Sequence, residues 1–119
     1  MLIIYHSLTN NIERFLNKSN HTNKLKLIDG NEIIKEPFIL MTYTIERGQI
    51  PNIIKKFMIN NHKNCVGLIG SGNKNWGSLY CNATKLLKDE YDINILMNFE
   101  LSGIQENIDK FNEIINEKI

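Results

Sequence analysis

A chain of 119 residues with 42% apolar and 23% charged residues has the composition of one globular domain, which excludes collagen, coiled coil and disordered tails. The formal net charge of +1, with arginine confined to Arg14 and Arg47, excludes a strongly electrostatic nucleic-acid binder, which would show a basic stripe. No apolar run approaches the ~20 residues of a membrane span, and the short run Met1 to Tyr5 is closed at once by polar residues, unlike a signal peptide, so a cytoplasmic location is expected.

In chain order, Leu2 to Tyr5 is a continuous apolar run, the mark of a strand covered on both faces. Ile12, Phe15 and Leu16 recur at helical spacing and predict a helix over Asn10 to Lys18. Lys24 to Ile28 alternates weakly and suits an edge strand. Phe38 to Met41 is a second buried strand, introduced by Pro37. Pro51 then sits where a first helical turn tolerates it, and Ile50, Ile54, Phe57 and Met58 define the face of the helix that follows.

Val66 to Ile69 is a third buried strand, followed by a Gly/Asn-rich loop and a helix carrying Leu79, Ala83, Leu86 and Leu87. Ile93, Ile95 and Met97 alternate as a strand, and Ile104, Ile108, Phe111 and Ile115 mark a last helix. Alternating elements of this kind predict an α/β fold with a mainly parallel sheet, five strands and four helices. Only eight residues separate Ile28 from Pro37, fewer than the ~10–12 of a helical crossover, so a short irregular connection is expected there. Cys65 and Cys81 lack metal-ligand spacing and read as reduced core thiols.

Ligands of such a sheet bind beyond the carboxyl ends of its strands. Three loops belong there: His6 to Asn11, Thr42 to Gly48, and Gly70 to Gly77. The first offers the Ser7 and Thr9 hydroxyls and backbone N–H groups at a helix start, which hold a phosphate without lysine, although Ser and Thr also cap helices routinely. It is neither a dinucleotide glycine fingerprint nor a P-loop. In the third loop, glycines and asparagines allow close backbone approach to a flat ligand, and Trp76 either stacks on that ligand or packs the loop down. Tyr43, with the Thr42 and Thr44 hydroxyls, would supply the opposite wall. His6 is a candidate for the site; His21 and His62 read as solvated surface.

These residues carry a resemblance. Ser7-Leu-Thr-Asn-Asn11 looks like the phosphate loop of flavodoxins, commonly Ser/Thr-x-Thr-Gly-Asn. Gly72-Asn-Lys-Asn-Trp-Gly77 and Phe99-Glu-Leu-Ser-Gly103 are similar to segments of the NrdI family, flavin-bearing accessory proteins of class Ib ribonucleotide reductase, and Glu36 to Thr44 matches the strand between them. The similarity runs in order over nearly the whole chain.

The resemblance implies one flavodoxin-like domain over residues 1–119, a three-layer sandwich with strand order 2-1-3-4-5 and one helix fewer than ordinary flavodoxins. It implies non-covalent FMN, its phosphate on Ser7, Leu8, Thr9, Asn10 and Asn11. The ring would lie between Thr42, Tyr43, Thr44, Ile45, Glu46 and Gly48 on one side and Ser71, Gly72, Asn73, Asn75, Trp76 and Gly77 on the other, with Tyr43 or Trp76 in ring contact. The flavin carries the chemistry, and no side chain need act as acid or base.

The role implied is that of an accessory redox protein rather than a stand-alone metabolic enzyme. A flavin reductant of unstated identity loads it with electrons, molecular oxygen takes them as superoxide, and that oxidant serves assembly of the manganese/tyrosyl-radical cofactor in the reductase small subunit. An ordinary electron-transfer flavodoxin is the alternative; such proteins are longer and typically acidic. A receiver domain is disfavoured because His6-Ser7 and Thr42-Tyr43 stand where it needs acidic residues.

Two positions depart from the family pattern. Asn10 replaces the phosphate-loop glycine, and Glu46 stands at the first glycine of the common Thr-Gly-Phe-Gly loop, either near the ring or out in solvent. Arg47, Lys74 and Phe99 to Gly103 are the expected docking face, with Glu100 and Ser102 as capping residues under the blander reading.

Overall fold

The computed structural model describes residues 1–118. Its elements are β1 (Leu2–Tyr5), α1 (Asn11–Ser19), β2 (Lys24–Lys26), β3 (Phe38–Tyr43), α2 (Asn52–Asn61), β4 (Cys65–Gly72), α3 (Asn82–Tyr91), β5 (Ile95–Glu100) and α4 (Gln105–Lys118). The strands form one five-stranded sheet in the order β2-β1-β3-β4-β5, every pairing parallel. Among the described residues no helix is long and apolar enough to cross a membrane.

Because strand side chains alternate between faces, the apolar runs feed two separate cores. Leu2, Ile4, Phe38, Leu40 and Leu68 face α2 and α3, meeting Ile54, Phe57, Met58, Ala83 and Leu87. Ile3, Tyr5, Ile39, Met41, Ile69 and Phe99 face α1 and α4, meeting Ile12, Phe15, Leu16, Ile108, Phe111 and Ile115. On that side the Phe15 and Phe99 rings stack with centroids 4.0 Å apart, and Phe111 meets Phe15 edge-on. These aromatic contacts seat the middle of α1 against the end of β5 and against α4.

The connection from β2 to β3 contains no helix. Its exposed turn is held by the Glu32 carboxylate, which accepts the amides of Ile28 at 2.7 Å and Gly30 at 2.9 Å. Its inner backbone is satisfied from α2, where buried Asn61 donates to the Glu32 and Phe57 carbonyls and accepts the Ile34 amide, each at 2.8 Å. A connection too short for a helix thus recruits side-chain partners for the backbone groups a helix would have paired internally.

Several boundaries differ from the sequence reading. β2 ends at Lys26 because Leu27 turns inward while Ile28 is exposed. β3 and β4 run on to Tyr43 and Gly72, carrying their polar ends to the sheet rim. Ile50 and Ile93 are buried but lie outside the helix and strand they suggested. Leu79 and Ile104 precede α3 and α4 and are exposed, so neither belongs to a core-facing helical stripe.

Candidate functional site

The loops after β1, β3 and β4 converge on one cavity of about 460 Å³ at the carboxyl rim of the sheet, a size usual for a small-molecule site. Ser7, Leu8, Thr9 and Asn11 line it from the first loop; Tyr43, Thr44, Ile45 and Glu46 from the second; Ser71, Gly72, Asn73 and Trp76 from the third. Asn10, Thr42, Gly48, Asn75 and Gly77 do not line it. Each of these five has another part in shaping the loops.

In the first loop Asn10 takes the left-handed conformation, with φ 64°, and its carbonyl accepts the Arg14 amide at 2.9 Å as the first rung of α1. Asparagine adopts that conformation more readily than most residues, which is why it stands where glycine is usual. The amides of Asn11, Ile12 and Glu13 precede Arg14, the first helical donor, so among the described residues the helix start presents donors without an intrahelical partner. Arg14 folds back over the loop, donating to the Thr9 carbonyl at 3.3 Å and to Asn11 Oδ1 at 3.2 Å.

In the second loop Thr42 is buried and its hydroxyl donates to the Tyr43 carbonyl at 2.9 Å, which removes it from the cavity. Reciprocal backbone bonds between Ile45 and Gln49, at 2.9 and 2.8 Å, close the loop into a small ring. The left-handed positions inside it are Arg47, with φ 51°, and Gly48, with φ 84°. Gly48 is buried and its carbonyl accepts Asn82 Nδ2 at 2.8 Å; a Cβ there would come within 2.9 Å of Asn82 Nδ2 and Leu79 Cδ2. Glu46 is exposed, lines the cavity and, among the described residues, forms no ion pair with Arg47.

In the third loop the Ser71 hydroxyl donates to the Leu101 carbonyl at 2.8 Å, tying β4 to the segment after β5. Asn73 Oδ1 accepts the Asn75 amide at 2.9 Å and its carbonyl accepts the Trp76 amide at 3.0 Å, which forms the turn. Gly77, with φ 60° and ψ −125°, reverses the chain in a conformation that only glycine enters freely. Trp76 remains 41% exposed at the cavity rim, so it does not pack the loop onto the body.

Three lining residues lie outside the sequence reading: Ile12, Cys81 and Leu101. Cys81 begins α3 in the left-handed conformation, φ 53°, and burial pushes its thiol up to about 11, so it is neutral and unreactive as a nucleophile. Cys65 is likewise buried with its thiol raised to about 11. Leu101, with φ 54°, stands half-exposed at the rim. Its segment carried a signal, the Phe-Glu-Leu-Ser-Gly run; Cys81 carried none.

The docking face and the histidines need correction. Phe99 is buried in the core beside Phe15 and offers nothing to a partner. Glu100 does not cap α4: its carboxylate accepts the Lys74 amide at 2.9 Å, and the cap-like bond runs from the Ile104 amide to Asn107 Oδ1 at 2.9 Å. His21 and His62 are part-buried rather than solvated. His21 Nε2 bonds the Met1 carbonyl at 2.9 Å, and His62 Nδ1 bonds the Met58 carbonyl at 2.9 Å while its ring stacks on Tyr91.

The family described as NrdI flavodoxin-like matches residues 3–113. Protein NrdI of Macrococcus caseolyticus (strain JCSC5402) is 42% identical over 112 residues, covering 94% of this chain and 86% of that protein. The chain belongs to the NrdI flavodoxin-like family. In fold it is similar to a short-chain flavodoxin associated with a non-canonical PDU bacterial microcompartment, with a TM-score of 0.75 at 18% identity over 98% of this chain and 95% of that one. Membership in a flavodoxin-like family makes a flavin the cofactor class of this NrdI-family chain, and the donor set fits one: neutral N–H groups and hydroxyls at the α1 start for an anionic tail, and the Tyr43 and Trp76 rings beside a largely apolar cavity for a flat ring.

Proposed function

We propose that the chain binds FMN in this cavity and serves as the flavin partner of the class Ib ribonucleotide reductase small subunit. The observation that carries the reading is the convergence of the start of α1, whose first amides lack an intrahelical partner, and the walls of the second and third loops on one cavity. Ser7, Thr9 and the amides of Asn11 and Ile12 would bind the phosphate, with the Arg14 guanidinium adding a positive field over the same loop. Tyr43, Ile45, Gly72 and Trp76 would flank the ring. Asn10, Thr42, Gly48, Asn75 and Gly77 would act by fixing the loop shapes.

When bound, FMN would supply the redox chemistry by which electrons from a reductant reach molecular oxygen, one per molecule, as superoxide, the oxidant for assembly of the small subunit's manganese/tyrosyl-radical cofactor. The protein's own part would be to grip the tail with neutral donors and orient the ring, with exposed Trp76 and Glu46 among the lining residues. Arg47 and Lys74, exposed next in sequence to the lining residues Glu46 and Asn73, and exposed Leu101, which itself lines the cavity, would face the small subunit in the cytoplasm.

The purified protein is tested first by its visible spectrum and by FMN release on denaturation, then by aerobic stopped-flow oxidation of the reduced form with a superoxide trap. A colourless protein that does not bind added FMN overturns the reading. Bound FMN whose oxidation yields no trapped superoxide leaves electron transfer between redox enzymes as its role.

A further inference from the structure

β1 ends at Tyr5, and the next residue, His6, brings its imidazole Nδ1 within 2.8 Å of the Tyr43 hydroxyl at the end of β3. The two rings are tilted by 34° with centroids 5.8 Å apart. Tyr43 forms part of the cavity wall, whereas His6 does not line the cavity. The imidazole therefore reaches the site only through the phenol. The charged groups that act on it are Lys26 from β2 and Glu13 from α1, themselves paired at 2.6 Å. β1 adds the Tyr5 phenol, which feels the same pair.

We propose that His6 is a positioning residue: its imidazole fixes the Tyr43 phenol on the cavity wall, and uptake of a proton by the imidazole reverses the hydrogen bond between them. The inference deepens the reading of this cavity as the FMN site and rests on it for its effect on the ligand.

The chemistry follows from the donor inventory. Burial raises the Tyr43 phenol above its ordinary value, so it stays protonated throughout the range in which histidine titrates. For neutral His6 we assign the imidazole proton to Nε2, so that the phenol O–H donates to Nδ1 across the 2.8 Å contact. Once His6 has taken one proton from solvent, Nδ1–H must donate and the phenol oxygen must accept. The phenol hydrogen then turns to another acceptor at the cavity mouth. No covalent bond changes apart from that protonation. On the acid side the wall gains both a free O–H donor and a cation behind it, which favours an anionic ligand.

The test has two arms. In the apoprotein, long-range proton–nitrogen NMR of the imidazole should show an unprotonated, hydrogen-bonded Nδ1 whose resonance moves in Tyr43→Phe and stays in place in Tyr91→Phe. An Nδ1 resonance indifferent to Tyr43→Phe overturns the pairing. FMN titrations between about pH 5.5 and 8 form the second arm.

The FMN phosphate titrates in the same range, and His6→Asn, which keeps an acceptor but cannot take the proton, carries that background alone. Affinity in the native protein should tighten toward acid by about two- to tenfold more than in His6→Asn, the ratio equivalent to one net hydrogen bond. Parallel profiles overturn the switch. If no version binds FMN, the cavity reading falls, while the imidazole spectra still decide the His6–Tyr43 pair.

Discussion

Thr44 caps a helix that begins 38 positions further along the chain: its Oγ1 accepts the Ala83 amide, in the first turn of α3, at 3.0 Å. The residue at the local cap position, Cys81, is left-handed and offers no side-chain acceptor to the helix. The second loop of the cavity and the start of α3 are consequently one unit. Thr44→Val keeps the shape and removes the acceptor, and should cost about 1 kcal/mol of stability, read as a lower urea midpoint with an unchanged slope.

Asn61 satisfies three backbone groups at once, the Ile34 amide and the Glu32 and Phe57 carbonyls. Asn61→Ala leaves the Ile34 amide and Glu32 carbonyl of the β2–β3 connection without these partners, so a loss of about 2–4 kcal/mol is expected. Hydrogen exchange should quicken at Ile34 before it does in the strands.

Glu46 lines the cavity while exposed to solvent and unpaired among the described residues. Its negative charge should disfavour a reduced, anionic ring. Glu46→Gln should therefore raise the potential for forming that state by tens of millivolts, from an interaction of about 1 kcal/mol. The gap should shrink in high salt, since exposed charges are screened. Identical potentials in both proteins would place the carboxylate out of electrostatic reach.

Burial, aided by the Lys26 charge, lowers the His6 pKa below its ordinary value, whereas Glu13 opposes the shift. The unfolded chain thus holds more protons than the folded one between the folded value and about 6.5. Stability should be fully present above that ordinary value and decline as pH falls from it toward the folded value. His6→Asn should flatten this part of the urea-midpoint profile, and an unchanged slope would locate the proton uptake elsewhere.

The parallel strands were legible because buried ones read as short apolar runs, each carrying its neighbouring loop to the same rim, whereas their order came from the family resemblance. Ile104 and Leu79 misled because apolar residues just outside a helix continue its period by chance. Cys81, Ile12 and Leu101 reach the cavity from α3, α1 and the segment after β5, and periodicity reports which face is apolar without saying which loop that element will meet. Bonds such as Ser71 to Leu101 join residues 30 apart and leave no local trace. Asn10 did leave a local trace, since it stands where the resembling loop has glycine and its left-handed backbone is a property of one residue.

The brevity of β2 has a consequence for the protein in a crowded cell. It contributes only Lys24, Leu25 and Lys26 to one border of the sheet, and the Lys26 ammonium is held there by Glu13. A second copy seeking to extend the ladder at that border would find three residues of template and would have to strip water from an ammonium group for little backbone pairing in return. The same short strand that completes the sheet therefore discourages the molecules from concatenating through it.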